Sequence, residues 1–100
     1  MTLEQLRIFL AVAEHLHFSR AADTLYLTQP AVSAAIHSLE SEYGTKLFHR
    51  LGRRIEISEA GKFLQIEAQK ILDQVTFTER GLRELNNLQQ GELKLGSSLT

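Results

Sequence analysis

The chain contains no cysteine, no tryptophan and a single proline among its 100 residues. Without cysteine it can form neither a disulfide framework nor a thiolate metal site. No stretch approaches the roughly 18 consecutive apolar residues of a membrane span. The N-terminus also lacks the basic start and unbroken apolar run of a signal peptide. We therefore expect a cytoplasmic protein with no membrane partner.

Charge is also missing from one long segment. No residue from Thr24 to Leu39 carries a formal charge, although 23% of the chain is charged. The net charge of -1 is not the overall basic balance of a nucleic-acid binder. Acidic residues are absent between Tyr43 and Ile55, however. The basic residues of that stretch are Lys46, Arg50, Arg53 and Arg54. The chain is thus neutral on average and basic in one place.

Two amphipathic helices are predicted at the start of the chain. Apolar residues recur at three- and four-residue steps over residues 3–16, where Thr2 and Gln5 have the spacing of a capping box. Ser19 has the position of an N-cap for a short helix over residues 20–25. Two adjacent alanines in this short helix indicate a close approach to another helix.

A third helix follows after a break of a few residues. Thr28 is its predicted cap, and Pro30 lies in the first turn, where its missing N–H is harmless. The helix is predicted over residues 29–43, and Gly44 ends it. A short helix, a turn and a longer helix form the helix-turn-helix arrangement, here over about residues 18–37.

A β-hairpin and a long helix complete the predicted elements. Alternating residues on both sides of Gly52 predict a hairpin over about residues 46–58 with a basic tip. Ser58 is the predicted cap of a helix over residues 59–90, which Gly91 ends, and a strand-like alternation follows. The predicted fold is therefore mainly α, with three helices, a two-stranded hairpin and a long final helix.

The long helix carries apolar residues at alternating steps of four and three, which is a heptad seam. Its members are Leu64, Ala68, Ile71, Val75, Thr78, Leu82 and Leu85. Packing against the first helix of the same chain is the alternative interpretation. A helix of 32 residues is about 48 Å long, roughly twice the first helix, so at least half of the seam needs a partner. We expect a homodimer.

The third helix has an uncharged polar face beside its apolar stripe. This face consists of Gln29, Pro30, Ser33, Ala34, His37 and Ser41. Glutamine can pair bidentately with adenine, serine can donate or accept, and alanine or proline can pack against a thymine methyl group. The face therefore suits the major groove of double-stranded DNA.

Contacts to phosphates are predicted outside that face. Thr28 and the backbone N–H groups at the start of the third helix are suited to a phosphate, as is Arg20. Arg53 and Arg54 at the hairpin tip suit the neighbouring minor groove, where arginine senses groove width and negative potential. Arg50 has a structural alternative, an ion pair with an acid of the third helix.

Three motifs follow one another along the chain, FSRAADTLYLTQPAVSAAIHSLE, then G-x-x-L-F-x-R, then RRIEISEAG. Over residues 1 to about 90 the chain resembles the DNA-binding domain of LysR-type transcriptional regulators. The resemblance implies a winged helix-turn-helix domain over residues 1–58, whose wing is the hairpin. It also implies a linker helix over residues 59–90 that pairs two subunits. GELKLGSSLT, residues 91–100, matches the first strand of a separate effector-binding domain.

The resemblance also assigns roles and partners. It implies that Gln29, Pro30 and Ser33 face bases, that the wing arginines reach the minor groove, and that dimers of dimers bind an imperfect palindrome. A small-molecule co-inducer is implied for the effector-binding domain, whereas no cofactor is expected within these 100 residues. Many relatives have arginine where Ala34 stands, and His37 replaces a longer side chain.

Other chemistries are weakly supported by the sequence. His15, His17 and His49 lack the helical spacing and third ligand of a zinc site. Ser19, Asp23 and His17 are the residue types of a catalytic triad, without a predicted oxyanion hole or substrate pocket. We expect no enzymatic activity. The alternative function is a helical protein-interaction and oligomerisation module in which the long helix is the functional part.

Overall fold

The computed structural model describes the backbone of residues 1–94 and the side chains of residues 1–89. Four helices and one antiparallel hairpin follow one another in this part of the chain. They are α1 Leu3–His15, α2 Phe18–Leu25, α3 Gln29–Tyr43, β1 Phe48–Leu51, β2 Arg54–Ile57 and α4 Glu59–Lys94. The predicted mainly α class, with a two-stranded wing and a long final helix, is confirmed.

The first two helices begin at side-chain caps, one of which differs from the prediction. The capping box of α1 forms as expected. α2 begins at Phe18, and its cap is His17, so the prediction that Ser19 caps this helix is wrong. The Nδ1 atom of His17 accepts from the backbone N–H of Arg20 at 3.2 Å. The Ser19 hydroxyl instead donates to another side chain of the site described below.

The turn between α2 and α3 is held by backbone hydrogen bonds. Tyr26 adopts the left-handed conformation with φ 56°, and the N–H of Leu27 donates to the Ala22 carbonyl at 2.9 Å. Thr28 caps α3 as predicted, accepting from the N–H of Ala31 at 3.3 Å. The chain therefore leaves α2 and enters α3 within a few residues, as a helix-turn-helix requires.

The hydrophobic core lies where α1, α2 and α3 meet. Its most buried side chains are Leu6, Phe9, Val12, Ala21, Ala22, Val32, Ile36 and Leu39. The small side chains of Ala21 and Ala22 let α2 pack closely, as predicted. Each large apolar side chain in such a core stabilises the fold by about 1.5–3 kcal/mol. This packing buries one side of α3 and leaves its other side uncovered.

The predicted hairpin with Gly52 in its turn is confirmed. Its antiparallel register pairs Phe48 with Ile57 and Leu51 with Arg54. Gly52 has φ 62°, which favours glycine because it lacks a Cβ atom. The inner end of the hairpin joins the core, because the ring of Phe48 lies in the buried cluster. The turn end projects with its side chains exposed.

α4 begins at the predicted cap and ends later than predicted. The Oγ atom of Ser58 accepts from the Gly61 N–H at 2.9 Å. The helix continues through Gly91 to Lys94, so a helix end at Gly91 and a strand directly after it are wrong predictions. A lone glycine disfavours a helix by only about 1 kcal/mol relative to alanine, and strong helix formers follow it here. Residues 95–100 of the predicted strand lie outside the described residues.

The predicted seam of α4 divides into two parts. Leu64 packs against the core and Ala68 is 0% exposed, so both contact their own chain. Ala68 thus has no surface left for a partner subunit, which corrects its predicted role in dimerisation. Further along, Leu82 and Leu85 are 64% and 59% exposed. The role of the remaining seam positions stays a prediction.

Candidate nucleic-acid interface

α3 turns one face to the core and the other to solvent. Val32, Ile36 and Leu39 point inward and are 0%, 3% and 1% exposed. The opposite face is called the recognition surface here, and it consists of Gln29, Pro30, Ser33, Ala34, His37 and Ser41. All six are exposed except Ser33, which is half-buried. The structure thus brings the predicted base-facing residues together on one uncharged face.

Two hydroxyl groups organise the start of the recognition surface. The Thr28 side chain caps the helix, while the Oγ atom of Ser19 donates to the Oε1 atom of Gln29 at 2.8 Å. Sequence reasoning missed the second bond, because the two residues are ten positions apart and no motif marks the pair. Arg20 follows Ser19 on α2 and is exposed, as its predicted phosphate role requires.

The wing carries three exposed arginines. Arg53 and Arg54 lie next to the turn of the hairpin. The guanidinium of Arg50 lies 5.1 Å from the centroid of the Phe18 ring, and Phe18 packs edge-on against Phe48 at 6.3 Å. The aromatic ring of α2 therefore holds Arg50 by a cation–π contact. The alternative pairing of Arg50 with an acid of α3 does not occur.

The two acids of α3 are each engaged by a positively charged group. The Oε2 atom of Glu40 accepts from the N–H groups of Leu47 and Phe48 at 2.8 and 3.3 Å. Its Oε1 atom lies 3.8 Å from the Lys46 ammonium, and its side chain is 13% exposed. Glu42 binds the N-terminal ammonium group at 2.7 Å. Their charges are therefore compensated, and Glu40 joins α3 to the base of the wing.

A trough of about 470 Å³ runs between α3 and the wing. Ser33, His37 and Glu40 line its helix side, whereas Lys46, His49 and Arg50 line its wing side. The charge of Glu40 is compensated by Lys46. The salt bridges found among the described residues include none of the wing arginines. Uncompensated positive charge thus borders an uncharged helix face. This arrangement attracts a polyanion while leaving the recognition surface free for neutral polar contacts.

Other kinds of site find no support in the described part of the chain. Its His, Asp and Glu side chains form no group of three that is able to hold a metal ion. Ser19 and His17, candidates for a triad, are bonded to the side chain of Gln29 and to the backbone of Arg20 instead of to each other. Within residues 1–94, no helix is both long enough and apolar enough to cross a membrane.

Comparison with known sequences identifies relatives across the whole chain. Residues 3–62 match the model of the lysR family of bacterial regulatory helix-turn-helix proteins. A probable RuBisCO transcriptional regulator of Synechocystis is 46% identical over 99 residues, which are 99% of this chain and 29% of that protein. The HTH-type transcriptional regulator CfxR of Cupriavidus necator is 43% identical over 96% of this chain and 30% of that protein. The chain thus spans less than a third of these relatives.

Solved structures similar to the chain include DNA complexes. The CbnR DBD–DNA complex superposes with a TM-score of 0.82 at 31% identity, covering 86% of this chain and 99% of that one. A BenM DBD complex with catB site 1 DNA superposes with a TM-score of 0.82 at 35% identity, covering 86% of this chain and 97% of that one. Sequence, fold and the arrangement of the helix-turn-helix agree: the chain belongs to the LysR family of bacterial helix-turn-helix regulators.

Proposed function

We propose that the chain is the sequence-specific DNA-binding and dimerisation part of a LysR-type transcription factor. One observation carries this proposal: an uncharged, exposed recognition surface on α3 is bordered by the unpaired arginines of the wing. The solved DNA complexes support it further, since this chain covers 99% and 97% of the protein chains in them. A domain of this length is therefore sufficient to hold DNA in these relatives.

The recognition surface enters the major groove of double-stranded DNA in this proposal. Gln29 and Ser33 supply hydrogen bonds to base edges, while Pro30 and Ala34 supply apolar contacts to thymine methyl groups. His37 lies one turn further along α3. The small Ala34 side chain leaves this position without a charged base contact. Base specificity then depends on Gln29, Ser33 and the shape of the DNA.

The phosphate contacts lie on either side of that groove. Thr28 and the N–H groups at the start of α3 are suited to one phosphate, and Arg20 on α2 to another. Arg53 and Arg54 reach into the adjacent minor groove, where the negative potential of narrow A·T-rich sequence attracts guanidinium groups. Arg50, held against Phe18, contacts the backbone between the two grooves.

Dimerisation through α4 completes the proposed assembly. The large apolar side chains exposed on α4 are Phe63, Ile66, Ile71, Phe77, Leu82, Leu85 and Leu88. A twofold dimer places one recognition surface in each half of an imperfect palindrome. The complete regulator then forms dimers of dimers in the bacterial cytoplasm. An effector-binding domain beginning within residues 91–100 takes a small-molecule co-inducer.

Binding to genomic DNA tests this proposal. Fluorescence anisotropy with labelled genomic fragments and excess competitor DNA measures affinity at two salt concentrations. We expect the chain to bind some fragments selectively. Because neutralising phosphates releases counterions, its affinity for them should fall at least about tenfold between 50 and 200 mM salt, which corresponds to a few phosphate contacts. Equal affinity for all fragments, or affinity that does not change with salt, would contradict the proposal.

The apolar side chains exposed on α4 also favour a second candidate function, a helical interaction and oligomerisation module. A dimer that shifts no DNA fragment in a gel, with or without competitor, would support this second function.

A further inference from the structure

The trough between α3 and the wing lies where one strand of the duplex has to pass. In the proposed complex, α3 occupies the major groove and the tip of the wing occupies the adjacent minor groove. Neighbouring grooves of a duplex are separated by a single sugar-phosphate backbone. That backbone therefore passes between α3 and the wing, through the trough of about 470 Å³ that lies between them. The side chains that line the trough face phosphates in this complex.

Two histidines line the trough from opposite sides. His37 lies on α3 and His49 on β1, and both side chains are exposed. The Nε2 atom of His37 lies 3.4 Å from the Oγ atom of Ser41. Because a hydroxyl group both donates and accepts, this contact is compatible with the neutral and with the protonated imidazole. His37 is therefore not held in one protonation state by its partner.

Charged side chains surround the two histidines on both elements. Lys46 and Arg50 are the cations that line the trough, whereas Glu40 is its acid and is paired with Lys46 at 3.8 Å. On the wing, Glu56 lies opposite His49 in the antiparallel register and is exposed. Histidine is the side chain whose ordinary titration falls between about pH 5 and about pH 8. By residue type, the two histidines are therefore the groups of this set whose charge responds to pH in that range.

DNA in the trough changes which form of the histidines is favoured. A negative charge nearby stabilises a protonated imidazole, and each phosphate of the duplex carries one. The free chain offers two acids near these rings, and one of them, Glu40, is compensated by Lys46. The bound state therefore holds more protons than the free state, and binding takes up protons from solution. By linkage, the affinity for DNA rises as the pH falls through the range in which histidine titrates.

We propose that His37 and His49 are phosphate-binding residues that take up protons when DNA enters the trough, so that the chain binds DNA more tightly as the pH falls. The inference rests on the proposed function and names pH as a regulator of that site. Residue patterns in the sequence do not indicate His49, because it reaches the DNA only through the packing of the wing beside α3. Each protonated ring adds one positive charge to those of the wing arginines.

Affinity for a duplex selected from a randomised library tests the inference at two pH values. Fluorescence anisotropy at constant low salt compares the wild-type chain with His37→Gln, His49→Gln and the double variant, because glutamine is polar and does not titrate. We expect wild-type affinity to be at least about tenfold higher at about pH 6 than at about pH 8. Each histidine should contribute about fivefold, the effect of one unit charge about 4 Å away in water. The double variant should lose most of this gain.

Calorimetric titration in two buffers of different ionisation enthalpy counts the protons taken up on binding. We expect uptake by the wild-type chain near neutral pH and a much smaller uptake by the double variant. His15→Gln is the matched control, because that ring lies on α1, 3.1 Å from the Thr24 hydroxyl and outside the trough. It should keep the wild-type pH dependence. His17, which caps α2, is present in every variant, so its own titration cancels in the comparison.

Two results overturn the inference. One is a wild-type affinity that does not change between the two pH values. The other is a pH dependence and a proton uptake that are unchanged in the double variant. Absence of selective binding by the wild-type chain at both pH values contradicts the proposed function instead.

Discussion

Glu40 shows how a single side chain positions the wing relative to the recognition surface. It lies on α3 beside Ser33 and His37, is 13% exposed, and accepts hydrogen bonds from the backbone N–H groups of Leu47 and Phe48 at the start of β1. Hydrogen bonds to a charged acceptor are stronger than those between neutral groups. Without this carboxylate the two N–H groups lose their acceptor at a partly buried position. The wing is thus tied to the helix that it flanks.

Replacing Glu40 by alanine should destabilise the chain by about 2–3 kcal/mol, since two hydrogen bonds to a charged group are lost. Urea denaturation followed by circular dichroism measures this change. Glu42→Ala is the control, because that side chain is 46% exposed and pairs only with the N-terminal ammonium group. The free energy of unfolding of Glu42→Ala should stay within about 0.5 kcal/mol of the wild-type value. Equal effects of the two substitutions would show that Glu40 does not hold the wing.

Gln29→Ala should relax the preference at one base position, by about 1–3 kcal/mol of discrimination. The reason is that the amide contacts a base edge, whereas phosphate contacts made by other residues remain. Competition with duplexes that differ at single positions measures this discrimination. A uniform loss of affinity across all sequences would instead place Gln29 against the DNA backbone.

Helix-end residues could be predicted from the sequence, whereas contacts between residues that are distant in the sequence could not. Thr28, Gly44 and Ser58 act at helix ends through bonds to residues within a few positions, so the sequence indicates them directly. The bond between Ser19 and Gln29 and the role of Glu40 depend on how α2, α3 and the wing pack. Predicting them needs the tertiary structure.

At the scale of elements, two glycines of α4 occupy opposite environments. A Cβ atom added to Gly61 would lie 2.4 Å from the carbonyl oxygen of Leu47 and 2.6 Å from a side-chain carbon of Ile57. Such an atom added to Gly81 would meet nothing within 4 Å. The first glycine therefore lets α4 pack against the wing, and the second only weakens the helix.

Opposite changes in stability are expected for these two glycines. Gly61→Ala should destabilise the chain by about 1–3 kcal/mol, because the added methyl group forces α4 away from the wing. Gly81→Ala should stabilise it by about 0.5–1 kcal/mol through helix propensity. Thermal unfolding at a fixed protein concentration measures both. The same sign of change for both variants would contradict the packing described for Gly61.

The wing is expected to act on affinity through its charge. Arg53→Ala should weaken DNA binding by about 1 kcal/mol at low salt, with the largest loss on duplexes whose flanks are A·T-rich. Anisotropy with A·T-rich and G·C-rich flanks measures this difference. Arg7→Ala, an exposed arginine on α1 near Glu4, is the control and should bind normally. Equal loss on both kinds of flank would place Arg53 outside the minor groove.

The type and order of the elements were predicted well because their signals are periodic. Amphipathic spacing indicates α1, α3 and α4, and alternation around Gly52 indicates the hairpin. The end of α4 was predicted wrongly, because Gly91 is compatible with a helix interior that strong helix formers continue. The burial of Ala68 was missed as well, since a heptad seam does not reveal which neighbour covers each part.

At the scale of the whole molecule, α4 extends far beyond the compact helix-turn-helix. The described residues measure 66 Å in the longest direction and 25 × 19 Å across. A helix of 36 residues is about 54 Å long, and large apolar side chains remain exposed along much of it. So many large apolar side chains exposed along one helix indicate an interaction site. A second copy of the chain is the proposed occupant.

Leu82→Glu should convert the proposed dimer into monomers, because a charge buried between two helices is strongly unfavourable. Light scattering across a range of protein concentrations measures the mass. Thr76→Glu adds the same charge to an exposed position on another side of α4 and should leave the dimer intact. A dimer that persists in Leu82→Glu would place the interface elsewhere.

Methylation interference with dimethyl sulfate on a selected duplex tests the central claim most directly. The reagent modifies guanine N7 in the major groove and adenine N3 in the minor groove, so one experiment probes both. If α3 and the wing bind as proposed, major-groove methylation blocks binding in two half-sites related by a twofold axis. Minor-groove methylation blocks it beside each half-site. Interference that is absent, or confined to one groove, would contradict the account.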